Sequence, residues 1–174
     1  MKITETPLQG LLVIQPSVFE DARGHFFESF SEKLFQEAGV NEKFVQDNQS
    51  MSSKGVLRGL HFQAPPFAQG KLVRVVTGSV LDVAVDIRKN SPTYGKHFSI
   101  ELSAANKTMF FLPAGFAHGF SVLSNACIFQ YKCDNYYSKE AEGGIIYNDA
   151  DLNIDWKLST DEVLVSDKDK QLPL

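Results

Sequence analysis

A chain of 174 residues has room for one domain with a sizeable core, residues 1–174, and little room for a second. With 43% hydrophobic and 22% charged residues it has the balance of a soluble globular protein, which excludes a disordered chain. Seventeen basic against twenty-one acidic residues, a net charge of −4, argue against a general binder of nucleic acid or anionic membranes and leave open a local basic cleft.

Fourteen Phe, five Tyr and one Trp are an unusual load of flat apolar surface, for packing or for stacking a ligand. The N-terminal segment carries no apolar run suited to a signal peptide or a membrane span. Cys127 and Cys133 stand six residues apart in a predicted strand. At about 3.3 Å per residue their Cα atoms lie roughly 20 Å apart, too far for a disulfide. Without a CxxC they form no zinc site, so a reduced, cytoplasmic protein is expected.

Strands are predicted at Gly10–Ile14, Phe44–Ser50, Leu57–Gln63, Lys71–Val76 and Val80–Ile87. Further strands are predicted at Lys96–Leu102, Thr108–Leu112, His118–Leu123, Cys127–Asn135 and Gly144–Tyr147. One short helix falls between the first two: Ser31 caps it, Leu34, Phe35 and Ala38 form its apolar face, and Gly39 ends it. Thr77-Gly78-Ser79 reads as a hairpin turn. In the arm that follows, Leu81, Val83, Val85 and Ile87 alternate with Asp82, Ala84 and Asp86, so one face is apolar. Many short strands with no βαβ rhythm predict an antiparallel sandwich or barrel.

The sequence contains no GxGxxG after a strand, no P-loop, no GxSxG and no HExxH. His61 stands in an otherwise apolar strand, flanked in sequence by Arg58 and Lys71. It reads as a hydrogen-bonded core histidine or, beside two cations, as part of an anion-binding site. A regular strand would turn Arg58 and His61 to opposite faces, so a shared site needs a bulge, for which Gly59 is available. Tyr131 shares a face with Cys127, Phe129 and Cys133; it either packs, or serves as an acid opposite a base.

Pro113 to His118 has the PxGxxH form of the second cupin motif, but the HxH pair of metal-binding cupins is missing, since Phe62 and Gln63 follow His61. That is a poor donor set for zinc or iron, and no metal is expected. Ser166-Asp167-Lys168-Asp169 is a solvated turn, or brings either aspartate back to a histidine.

Taken together, the segments DARGHFFESF, FVQDNQS, GVLRGLHFQ, QGKLVRVVTGSVLDVAVDIR, SPTYGK, LPAGFAHGF, FQYKC and SDKD resemble the dTDP-4-dehydrorhamnose 3,5-epimerase family, in order and approximate spacing. The resemblance implies an all-β, cupin-type antiparallel barrel (jelly roll) with one or a few short helices, an isomerase without metal or nicotinamide cofactor. It implies a general base at His61, a general acid at Tyr131, Asp169 to hold the tautomer of His61, and Lys71 to stabilise negative charge. Arg23, Glu28, Gln46, Asn48, Arg58, His118, Glu142 and Lys168 match ligand-binding positions; Phe19 and Tyr137 match positions that stack the base. Phe26 is a further candidate for lining the nucleotide-sugar site, whereas Phe111, Phe120 and Phe129 read as barrel packing. The resemblance also implies a dTDP-sugar substrate and a homodimer whose N-terminal segment enters the partner's site. Relatives that invert a single carbon, and a non-catalytic nucleotide-sugar-binding cupin, are the alternatives.

Overall fold

A computed structural model describes residues 1–173. The chain opens with β1 (Lys2–Glu5), β2 (Leu12–Gln15), β3 (Val18–Asp21), β4 (Gly24–Phe27) and the helix α1 (Glu32–Glu37). The body consists of β5 (Gln46–Ser53), β6 (Val56–Gln63), β7 (Lys71–Thr77), β8 (Ser79–Asp86), β9 (His97–Ser103), β10 (Met109–Leu112), β11 (Phe116–Val122) and β12 (Ala126–Cys133). Two short strands, β13 (Glu142–Gly144) and β14 (Leu164–Val165), follow with a few 3-10 turns.

Two sheets face each other in the expected jelly roll. One has the order β1-β2-β10-β7-β12-β5, the other β13-β6-β11-β8-β9, with β14 beside β6. Pairing is antiparallel except for β14, which runs parallel to β6. Val73, Phe110, Leu112 and Phe129 from one sheet meet Val80, Ala84, Phe116 and Val122 from the other in the interior. The outer face of the first sheet is covered by Phe35 of α1 and by Val40. The outer face of the second lies under the C-terminal segment, with Trp156 against Leu57, Leu81 and Val83.

Several expectations need correction. Thr77-Gly78-Ser79 is no hairpin turn, because β7 and β8 belong to different sheets. Gly78 lies at the crossing with φ +83°, and a Cβ there would collide with the Ala126 carbonyl and the Ser124 hydroxyl. Alternate strands therefore swap sheets at a packed corner, a connection that local turn chemistry does not distinguish from a hairpin. Ser31 occupies the N-cap position of α1, yet its side chain makes no capping bond. Gly39 does end the helix, at φ +86°. The last predicted strand is displaced: β13 ends at Gly144, and Ile145 and Tyr147 instead pack beneath the second sheet. The apolar face of β8 points outward to that C-terminal cover, while Asp82 and Ala84 face inward. Phe111 likewise packs outside, near α1.

Candidate active site

The site begins with an irregularity in β6. His61 pairs with His118 of β11, but Arg58 pairs with Phe120, so three steps along β6 match two along β11. That extra residue turns Arg58 and His61 to the same side, and both line one cavity between the sheets. Gly59 makes the bulge possible. Its φ is +111°, and an added Cβ would stand 2.6 Å from the His118 carbonyl oxygen.

The cavity has a volume of about 680 Å³, in the range of small-molecule sites. His61 rises from the second sheet and Tyr131 from the first, so they line opposite walls. His61 Nε2 is 2.8 Å from Asp169 Oδ1, and Asp169 Oδ2 accepts the Gly59 N–H at 3.1 Å. Ionised, this buried carboxylate can only accept, so Nε2 of a neutral His61 carries the proton and Nδ1 keeps its lone pair. Ser166 Oγ in turn accepts the Asp169 N–H at 3.1 Å. Asp167 points to solvent beside Lys170, which decides between the two aspartates of the C-terminal turn.

Lys71 opens β7 at the edge of the interior, with Nζ 5.8 Å from the centroid of the Tyr131 ring. Burial holds its ammonium pKa below the ordinary lysine value, against the pull of Cys133, Asp82 and Glu142. Burial pushes the Tyr131 phenol up, which keeps it a proton donor across the neutral range. His118 is buried and lines the same cavity, its Nε2 3.0 Å from both oxygens of Asp82. Asp82 is fully buried, an acidic residue that strand patterning placed only on the less apolar face. Removing one partner of a buried hydrogen bond leaves the other unsatisfied, at a cost of about 1–3 kcal/mol or more for a charged group, so Asp82 ties His118 in place. Phe120 and Phe129 stack at a centroid distance of 4.2 Å and line the cavity as well. The expectation that they only pack is incomplete.

Most predicted site residues converge. Asn48, Arg58, His61 and Lys71 line the cavity, as do His118, Tyr131, Lys168 and Asp169. Arg58 is held by Ser52, whose Oγ accepts from its Nε and Nη2 at 3.2 Å each, a role the sequence reading missed. Gln46 stands one step from the cavity on β5 and donates to Asn48 Oδ1 at 3.1 Å. Glu142 accepts from Lys168 at 2.6 Å and from the Tyr137 hydroxyl at 2.9 Å, joining the C-terminal segment to β13. Burial pushes the Glu142 carboxyl up, but those two donors outweigh it and hold its pKa below the usual range.

The N-terminal candidates stand apart from the cavity. Phe19 and Phe26 are cross-strand partners on the β3–β4 hairpin, each 66% exposed. Arg23 caps that hairpin and is bound to Asp21. Glu28 lies by a separate depression near Ser17 and Leu34. Of the basic candidates, Arg58, Lys71 and Lys168 line the cavity, and Arg23 of the same chain does not. No group of three or more His, Cys, Asp or Glu side chains among the described residues is arranged to hold a metal ion.

Fold and site together define a cupin-type jelly roll with a histidine–aspartate pair facing a tyrosine beside cations. The chain belongs to the dTDP-4-dehydrorhamnose 3,5-epimerase family, whose sequence model matches residues 5–174. It is 54% identical to the dTDP-4-dehydrorhamnose 3,5-epimerase of Shigella flexneri, over 97% of this chain and 93% of that protein. The crystal structure of the Elizabethkingia anophelis enzyme of that name superposes with a TM-score of 0.95 at 55% identity, covering 99% of this chain and 95% of the other. The Legionella pneumophila 3,5-epimerase in complex with dTDP-4-keto-L-rhamnose gives a TM-score of 0.95 at 49% identity, covering 99% and 92%. A more distant likeness, at 32% identity and a TM-score of 0.89, is ChmJ, a 3'-monoepimerase from Streptomyces bikiniensis; it covers 97% and 85%.

Proposed function

We propose that this protein is a dTDP-4-dehydrorhamnose 3,5-epimerase. It converts dTDP-4-dehydro-6-deoxy-α-D-glucose to dTDP-4-dehydro-β-L-rhamnose in dTDP-L-rhamnose biosynthesis. The observation that carries this reading is the His61–Asp169 pair standing across a cation-bearing cavity from Tyr131. The ketone at carbon 4 acidifies the hydrogens on carbons 3 and 5. Nδ1 of His61 removes one of them, and the resulting enolate is reprotonated from the other face by the Tyr131 hydroxyl, which inverts the carbon. Lys71 stabilises the developing charge on the carbonyl oxygen; a preorganised donor of this kind supplies much of an enzyme's rate. Arg58 and Lys168 suit the diphosphate, Arg58 through its forked donors. No step changes the oxidation level of the sugar overall.

Two further parts of the reading concern assembly and place. The β3–β4 hairpin presents Phe19, Arg23 and Phe26 beyond the body of its own chain, a disposition that suits donation to a partner's site in a homodimer. Two buried, free cysteines suit a reducing, cytoplasmic compartment. No helix among the described residues is long and apolar enough to cross a membrane.

The test is incubation of the purified protein with dTDP-4-dehydro-6-deoxyglucose in deuterated water, with and without EDTA, followed by NMR at carbons 3 and 5. Deuterium at both carbons, indifferent to EDTA, is the expected result. Exchange at one carbon alone would make the protein a mono-epimerase, and no exchange would exclude this substrate.

A further inference from the structure

Ser50 lies on β5 between Asn48 and Ser52 and lines the cavity, opposite Phe129 across the ladder. Its neighbours on that face are engaged: Asn48 bonds Gln46 and Cys133, and Ser52 accepts from Arg58. Ser50 is not. Among the described residues its Oγ is the single buried side-chain nitrogen or oxygen without a hydrogen-bond partner. Folded proteins rarely leave such a group, because it gives up water and gains nothing in return. An orphan hydroxyl in the wall of a ligand cavity is different, since rotation about χ1 between staggered positions turns it into the cavity at little cost.

We propose that Ser50 is a diphosphate contact: its hydroxyl donates to a phosphate oxygen of the nucleotide-sugar that Arg58 attracts. The spacing fits. Ser52, which fixes the Arg58 guanidinium, is two residues along the strand from Ser50, about 7 Å. Arg58 and Ser50 line the same cavity, so a diphosphate resting on Arg58 has Ser50 within its span, and a hydroxyl near a cation is suited to donate to an anion. The inference rests on the nucleotide-sugar reading above and adds to it a residue with an opposite effect on the empty and the occupied protein.

The experiment uses dTDP as the probe, with calorimetric titration of the wild type, Ser50→Ala and Ser50→Thr, and thermal unfolding of each without ligand. Ser50→Ala is expected to bind dTDP about tenfold more weakly while melting no lower than wild type, because it deletes a hydroxyl that nothing in the empty protein uses. With substrate, KM should rise by more than kcat falls. Ser50→Thr, which keeps the hydroxyl, should recover part of the affinity. Equal dTDP affinity in Ser50→Ala and wild type would overturn the inference, as would a weakened affinity accompanied by a lower melting temperature. If the wild type itself fails to bind dTDP, the nucleotide-sugar reading falls and this inference with it, a result distinct from a wild type that binds and a variant that binds equally well.

Discussion

The Gly59 N–H and the His61 ring are held by the two oxygens of one carboxylate, that of Asp169. The bulge that brings Arg58 and His61 to a common side thus also frees a backbone donor to fix the residue that orients His61. A fold irregularity and the alignment of the His61–Asp169 pair are in this way the same feature. Asp169 receives its second bond from rigid backbone of β6, so its carboxylate cannot swing away without losing a donor.

Gly59→Ala tests that coupling. A Cβ at this position meets the His118 carbonyl oxygen at 2.6 Å and the Gly119 Cα at 2.7 Å, both backbone atoms that cannot step aside. Left-handed strain alone costs about 1–3 kcal/mol, and the collision adds to it. Urea unfolding should show a loss of about 3 kcal/mol or more, with epimerisation lost together with stability. A variant as stable as wild type would show that β6 accommodates a side chain at the bulge.

Asp169→Asn separates orientation from packing. Asparagine fills the same space, but its amide nitrogen can donate to His61 Nε2 and so favour the opposite ring tautomer. Comparable exchanges in enzymes with a histidine base cost about 10⁴-fold in turnover with geometry retained. Turnover is expected to fall by about 10²- to 10⁴-fold, with a ¹⁵N spectrum of labelled histidine reporting the tautomer change. Near wild-type turnover would remove Asp169 from its positioning role.

How far the sequence could be read depended on whether a feature was local. The alternation on β12 correctly put Cys127, Phe129, Tyr131 and Cys133 on one inward face, because strand periodicity alone decides it. The bulge at Gly59 was also legible, since a site shared by Arg58 and His61, three apart in one strand, requires one and Gly59 can form it. The corner at Gly78 was not, because a glycine turn between two apolar runs looks the same whether the chain returns to its own sheet or crosses to the other. Asp82 was passed over for a related reason. Both faces of β8 are covered, so the more apolar face need not be the interior one, and an acid on the other face can sit deepest of all. Asp169 lies 108 residues from its histidine; spacing left it level with Asp167, and only the family resemblance favoured it.

The cysteines offer a test of the closed interior. Burial pushes the Cys127 thiol up to about 11, and Cys133 is raised as well. The thiolate is the reactive form, so at pH 8 Cys127 presents only about a thousandth of its population to an alkylating agent. Labelling by iodoacetamide should be slow in the native protein and rise sharply through the unfolding transition. Rapid labelling of both thiols under native conditions would mean that the interior opens far more readily than its packing implies.

Lys71 provides the pH dependence. Its folded pKa lies below the ordinary lysine value because burial disfavours the ammonium. Between those two values the unfolded chain binds more protons than the folded one, so stability rises with pH across that window. Below the folded pKa the whole penalty is present. At pH values below the ordinary lysine pKa a lysine at this position therefore costs stability, and Lys71→Met should raise the melting temperature. The same change should lower kcat by about 10²- to 10³-fold, the usual loss when one donor to a developing oxyanion is removed. Activity that needs a protonated lysine must decline as pH climbs through this depressed pKa, before the raised Tyr131 phenol ionises. Lys71→Arg, whose guanidinium stays charged, should shift the alkaline limb of kcat/KM upward towards the Tyr131 ionisation even if its maximum is lower. An unchanged limb in Lys71→Arg would assign that ionisation to another group.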